Sequence, residues 1–162
     1  VRSRRQRQMC IRDRGNTNIW GQRLASTIEK IMHYELDTIF NEYDRSAQLE
    51  YPGGITTRSF KGADSFWTGL RSSFPHAKFK VHHVIGRDDK NMPPRAAVRW
   101  SLHGKHDGFG AFSEPTGAEV FVLGITHAEY GELIQGEPKI RREWTLFDEV
   151  SIWKQILMYK KY

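Results

Sequence analysis

Residues 117–131, GAEVFVLGITHAEYG, carry the reading on which the fold turns. Alternation with period two puts Phe121, Leu123, Ile125 and His127 on one side, and the other side is apolar as well. A strand apolar on both sides belongs beneath helices on one face, with a neighbouring layer on the other.

Other strands lie on both sides of it. Upstream, RAAVRWSLHG at 95–104 sets Ala96, Val98, Trp100 and Leu102 on one face, and KFKVHHVIG at 78–86 sets Phe79, Val81, His83 and Ile85 against Lys80, His82 and Val84. Downstream, RREWTLFDE at 141–149 alternates Arg142, Trp144, Leu146 and Asp148 against Glu143, Thr145 and Phe147. If the face with the tryptophan and leucine meets the core, Asp148 lies on its rim. VSIWKQIL at 150–157 closes the chain as a short helix with Ile152, Trp153, Ile156 and Leu157 for packing.

The first third of the chain has helical spacing. Leu24, Ile28, Ile31 and Met32 recur at three and four residues, and Leu36, Ile39, Phe40 and Tyr43 repeat the pattern. YPGG at 51–54 is a turn, and a third helix follows Gly62, with Phe66, Trp67, Leu70 and Phe74 on one stripe and Pro75 as its stop. Helices first and antiparallel strands afterwards predict an α+β domain, with helices on one side of a curved sheet around an apolar pocket.

The 162 residues fit one domain, and 38% hydrophobic with 12% aromatic content describes a globular chain. The opening VRSRRQRQMCIRDRG stands apart, with six arginines and no apolar periodicity. It could be a basic nucleic-acid arm, but more specifically MCIRDR is what a common sequencing adaptor gives when translated, so residues 1–14 are read as a non-native, disordered tail and 15–162 as the single domain. Without that tail, 19 basic residues face 18 acidic ones, so the net charge falls from +6 to +1 and the case for nucleic-acid binding goes with it. The single cysteine, Cys10, lies in the tail, which removes disulfide, thiolate and cysteine–metal chemistry. No apolar run has membrane-spanning length and no secretory h-region is present, so a cytoplasmic location without membrane contact is expected.

AVRWSLHGKHDGFGAFSEPTGAEV followed by REWTLFDEVSIWKQI resembles the SnoaL-like polyketide cyclases of the nuclear transport factor 2-like superfamily, over about Leu24 to Leu157. The resemblance implies an α+β cone of helices on a strongly curved, mixed but mainly antiparallel sheet, no metal or organic cofactor, and frequent homodimerisation through the outer sheet face. YPGG, RAAVRW and WKQI also resemble the second half of longer two-domain members, so an upstream copy is an expectation. Cyclase members of the family close rings by intramolecular aldol condensation with one aspartate on a late strand as acid and base, and that aspartate matches Asp148. Two further readings stay open: a non-catalytic ligand-binding or dimerisation module, and epoxide-hydrolase-like chemistry.

The residues themselves offer Asp148 as a carboxyl made more basic by an apolar wall of Trp144 and Leu146, or else as the cap of the closing helix. His83 and His127 share faces with apolar residues and could assist at a substrate oxygen; a satisfied histidine is the commoner case. Trp144, Trp100, Leu146, Tyr51, Trp67 and Phe112 are candidates to wall a pocket for a small hydrophobic molecule, Trp100 and Trp144 above all. HGKHD at 103–107 lacks the spacing of a persuasive metal site and fits a glycine-rich turn. There is no G-x-S-x-G elbow, phosphate-binding glycine loop or Cys–His pair, which leaves acid/base chemistry or binding.

Overall fold

The computed structural model describes residues 18–131 and 137–159. The reading of residues 1–14 lies outside them. Helices α1 (Ile19–Met32) and α2 (Asp37–Glu42) precede strand β1 (Tyr43–Tyr51), a 3₁₀ turn at Pro52–Gly54, and strand β2 (Ile55–Arg58). Helix α3 (Ser59–Ser73) leads to β3 (Lys78–Asp89), β4 (Met92–Lys105), β5 (Glu119–Tyr130) and β6 (Ile140–Phe147), and α4 (Glu149–Tyr159) closes the fold.

The strands form one open sheet in the order β2-β1-β6-β5-β4-β3. Only β1 and β6 run parallel; the other neighbours are antiparallel. Strand β5 is therefore interior over its second half, paired with β4 along its length and with β6 from Gly124 onward. Where β6 stops at Phe147, the first half of β5 would present bare backbone. There the Gln155 side chain of α4 takes the place of a strand: its amide oxygen accepts from the Phe121 N–H at 2.9 Å, and its amide nitrogen donates to the Phe121 carbonyl at 3.1 Å.

The helices cover one face. Leu24, Ile28, Ile31 and Met32 of α1 are buried, as their spacing predicts, and each large side chain of this kind contributes about 1.5–3 kcal/mol through burial. Helix α1 crosses β3 where two glycines meet: a Cβ on Gly86 would strike the Gly21 backbone, and one on Gly21 would strike Val84. Asn18 fixes that crossing, its side-chain amide donating to the Val84 carbonyl at 2.8 Å. Across the sheet, Gly124 makes room for the Trp100 ring, which a Cβ would overlap.

Three local expectations change. Tyr43 does not end a helix; α2 stops at Glu42 and Tyr43 opens β1, because the continuation Ala47, Leu49, Tyr51 buries with period two. Helix α3 starts at Ser59, before Gly62, and α4 extends the expected 150–157 at both ends. In β3 a register shift between Val81 and His83 breaks the alternation, so His82 and His83 are both exposed and Ile85 points outward, 53% exposed.

Candidate functional site

Between α3 and the inner sheet face, near the β1–β2 turn, lies a cavity of about 250 Å³. Tyr51 and Phe147, at the ends of neighbouring strands, and Phe66 and Leu70, one turn apart on α3, give it apolar walls. Phe112 closes another side, held against Phe74 and Trp153 with ring centroids 5.6 and 5.4 Å away. Tyr51 and Phe66 lie face to face, centroids 3.7 Å apart and planes 5° from parallel. Phe147 stands 6.1 Å beyond Phe66 at 23°. The polar lining includes Thr57, Ser65 and Glu149, in the first turn of α4.

Behind Tyr51 a second carboxyl is completely buried. Leu49 and Ala128 flank Glu143 on the neighbouring strands, and none of its surface reaches solvent. A charge in such a place requires hydrogen bonds. Thr145 donates to Oε1 at 2.7 Å and Tyr51 to Oε2 at 3.5 Å, while Tyr43 and Trp67 add further hydrogen bonds. Burial pushes the Glu143 carboxyl up to about 7, against the opposing pull of Tyr43, Thr145, Tyr51 and Trp67. Burial and the neighbouring Glu143 also push the Tyr43 and Tyr51 hydroxyls well above their ordinary range.

Two indoles feed this carboxyl. Trp100 Nε1 donates to Thr126 Oγ1 at 3.0 Å, which lies 3.0 Å from Thr145 Oγ1, and Trp67 Nε1 donates to the Tyr43 hydroxyl at 3.0 Å. An indole N–H can only donate, so each hydroxyl it reaches is free to pass its own proton towards Glu143.

The residues expected to form the site are divided between the cavity, the core and the outer face of the sheet. Tyr51 and Phe112 line the cavity, whereas Trp67 and Trp100 lie wholly in the core behind it. Trp144 and Leu146 point to the opposite, outer face of the sheet, where they line a groove of about 270 Å³ with Ile55 and Gly54. The expected core face of β6 is thus inverted: Glu143 and Thr145 are buried, and Leu146 is 67% exposed. The alternation was visible but its direction was not, because a carboxyl with enough donors packs where the larger apolar side chains were expected.

Asp148 is exposed and does not line the cavity; its Oδ1 accepts from the Ser151 N–H at 2.9 Å and caps α4. His83 is exposed through the β3 irregularity. His127 does share a face with Phe121, Leu123 and Ile125, but it is the outer face, where its ring stacks on Trp144 at 5.3 Å. The HGKHD residues find separate partners: His103 faces Glu119 at 3.6 Å, His106 contacts the Thr116 hydroxyl at 3.1 Å, and Asp107 pairs with His76 at 2.8 Å. Among the described residues no three His, Cys, Asp or Glu side chains converge as a metal site requires.

A mixed open sheet with helices and a cavity on one face defines an α+β cone. Solved structures share it. IdmH, a candidate polyketide cyclase from Streptomyces antibioticus, is 20% identical, with 82% of this chain and 94% of that one matched at a TM-score of 0.63. A SnoaL-like polyketide cyclase from Agrobacterium tumefaciens is 17% identical over 82% of this chain and 93% of its own, with a TM-score of 0.57. A candidate SnoaL-like polyketide cyclase from a Jannaschia species is 14% identical over 85% and 93%, with a TM-score of 0.64. This protein has the SnoaL-like, nuclear transport factor 2-like fold. No protein-family model matches the chain, and no curated protein matches it in sequence.

Proposed function

We propose that the domain takes a small, flat, largely apolar carbonyl compound into the cavity between α3 and the sheet and acts on it by cofactor-independent acid/base chemistry of the cyclase or isomerase type. The observation that carries this reading is the cavity itself: near-parallel rings of Tyr51, Phe66 and Phe147, with Glu149 among the lining residues. A planar ligand between Phe66 and Phe147 needs about 7 Å between the ring planes, so rings whose centroids lie 6.1 Å apart must part by at least about 1 Å to admit it. Glu149, next in sequence to the helix-capping Asp148, then supplies the base for a proton beside the carbonyl. The likeness of fold to polyketide cyclases supports the same class of substrate.

The test uses naphthyl methyl ketone as probe. Calorimetry is expected to show binding, which Ala111→Trp obstructs, and proton NMR in D₂O to show exchange of the ketone's methyl protons faster than in buffer. Glu149→Gln retains binding and loses the exchange. Binding without exchange in the native protein would instead favour a non-catalytic ligand-binding module, the reading that the capping role of Asp148 supports.

The outer sheet face supports a second element of the proposal, a homodimer. Phe121, Leu123, Ile125 and Leu146 stand there between 51% and 67% exposed on adjacent strands, an apolar area that a second copy would cover.

A further inference from the structure

The three hydroxyls around Glu143 are not equivalent. The Thr145 oxygen lies within hydrogen-bond reach of Thr126, which Trp100 supplies, and the Tyr43 oxygen accepts from Trp67. Each has an upstream donor, so its own proton is committed to the carboxylate. Among the described residues Tyr51 has no such donor; its hydroxyl hydrogen-bonds Glu143, at 3.5 Å against 2.7 Å for Thr145.

When Glu143 takes up a proton, it must donate that proton to a neighbouring oxygen. The Thr145 and Tyr43 oxygens each have one of their two lone pairs engaged from behind, whereas the Tyr51 oxygen accepts from no described residue and has both to offer. Receiving the Glu143 proton, Tyr51 has no further use for its own hydroxyl hydrogen on the carboxyl side. Tyr51 is also the member of this network that lines the cavity.

We propose that Tyr51 is the cavity's hydrogen-bond donor to a ligand's carbonyl oxygen, released for that role when Glu143 is protonated. This deepens the proposed function and rests on the cavity being the ligand site. Glu143 is a positioning residue: it acts through Tyr51. The groups facing it are Tyr43 and Tyr51 from β1, Thr145 beside it on β6, Thr126 and Tyr130 from β5, and Trp67 from α3. Arg23 and Glu42 act on Tyr130 from beyond it. Burial raises all three tyrosines, so these hydroxyls stay neutral while Glu143 titrates.

The chemical class follows. A ligand oxygen that only accepts, as in a ketone, gains from the released hydroxyl; a hydrocarbon of the same shape gains nothing. When a carbonyl becomes an enolate, the same donor holds the growing negative charge.

The experiment compares naphthyl methyl ketone with ethylnaphthalene at about pH 5.5 and about pH 8.5, either side of the Glu143 transition. The ketone is expected to bind about tenfold tighter at the lower pH, the worth of one well-made hydrogen bond, and the hydrocarbon equally at both. Tyr51→Phe should bring the ketone down to its high-pH affinity at both values. Glu143→Gln, whose amide donates to Tyr51 at every pH, should hold it at the low-pH affinity throughout. Circular dichroism and the dispersion of amide NMR signals report whether each variant is folded; if Glu143→Gln is not, the native and Tyr51→Phe proteins still decide. A pH-dependent ketone preference that survives Tyr51→Phe would overturn the role of Tyr51. Equal, pH-independent binding of both probes would overturn this inference while leaving the cavity reading standing. If neither probe binds, the cavity reading falls and this inference with it.

Discussion

Glu143 is the residue on which the interior of this fold is most sensitive to pH. Burial pushes its carboxyl from the ordinary 4.5 of an unfolded chain up to about 7, so the folded state holds more protons between those values. Stability therefore falls as pH rises through that window, by roughly 3 kcal/mol in all, and is constant on this account above it. Urea denaturation at about pH 4.5 and about pH 8 should show that slope, flattened in Glu143→Gln; a slope unchanged in the variant would assign it to other groups. Asp148 belongs to a different problem. As the cap of α4 it is worth about 1 kcal/mol, so Asp148→Ala should lower the urea midpoint and leave ketone binding and exchange intact. Loss of exchange with the fold preserved would return it to the catalytic role.

At the scale of elements, α4 does more than fill space. It covers the part of β5 that β6 leaves unpaired, carries Glu149 to the cavity, and packs Trp153 against Phe112. Gln155→Ala removes two hydrogen bonds to Phe121 and should cost about 1–2 kcal/mol by denaturation, with faster amide exchange at Phe121; unchanged exchange would show that water replaces the side chain without cost. The helical periodicity of α1 and the stripe of α3 were legible because each buries one continuous face. The β3 strand was less so. A bulge adds a residue without a compositional mark, and it turned His83 from the expected inner face to solvent.

At the scale of the molecule, the sheet has two faces of different use. The inner one meets the helices, the Glu143 network and the cavity; the outer one exposes Phe121, Leu123, Ile125 and Leu146. If the outer face pairs two copies, Leu123→Asp together with Leu146→Lys should shift sedimentation from dimer to monomer while ketone binding persists, since neither residue lines the cavity. A native protein that sediments as a monomer at high concentration would remove the dimer proposal. No helix among the described residues is long and apolar enough to cross a membrane.

The sequence by itself determined the class of fold. Helical periodicity, then four alternating segments, leaves few arrangements other than helices packed on a mainly antiparallel sheet, and motif resemblance narrowed these to the SnoaL-like cone. It also carried Tyr51 and Phe112 to the cavity wall. Only the tertiary structure decided which face of each strand turns inward. In GAEVFVLGITHAEYG and RREWTLFDE both faces hold large apolar residues, so period two divides the residues into sets without saying which set meets the helices. The deciding partners are distant in sequence. Trp67, Tyr43, Tyr51 and the Trp100–Thr126–Thr145 chain supply the donors that let Glu143 be buried, and with Glu143 inside, Trp144 and Leu146 are outside.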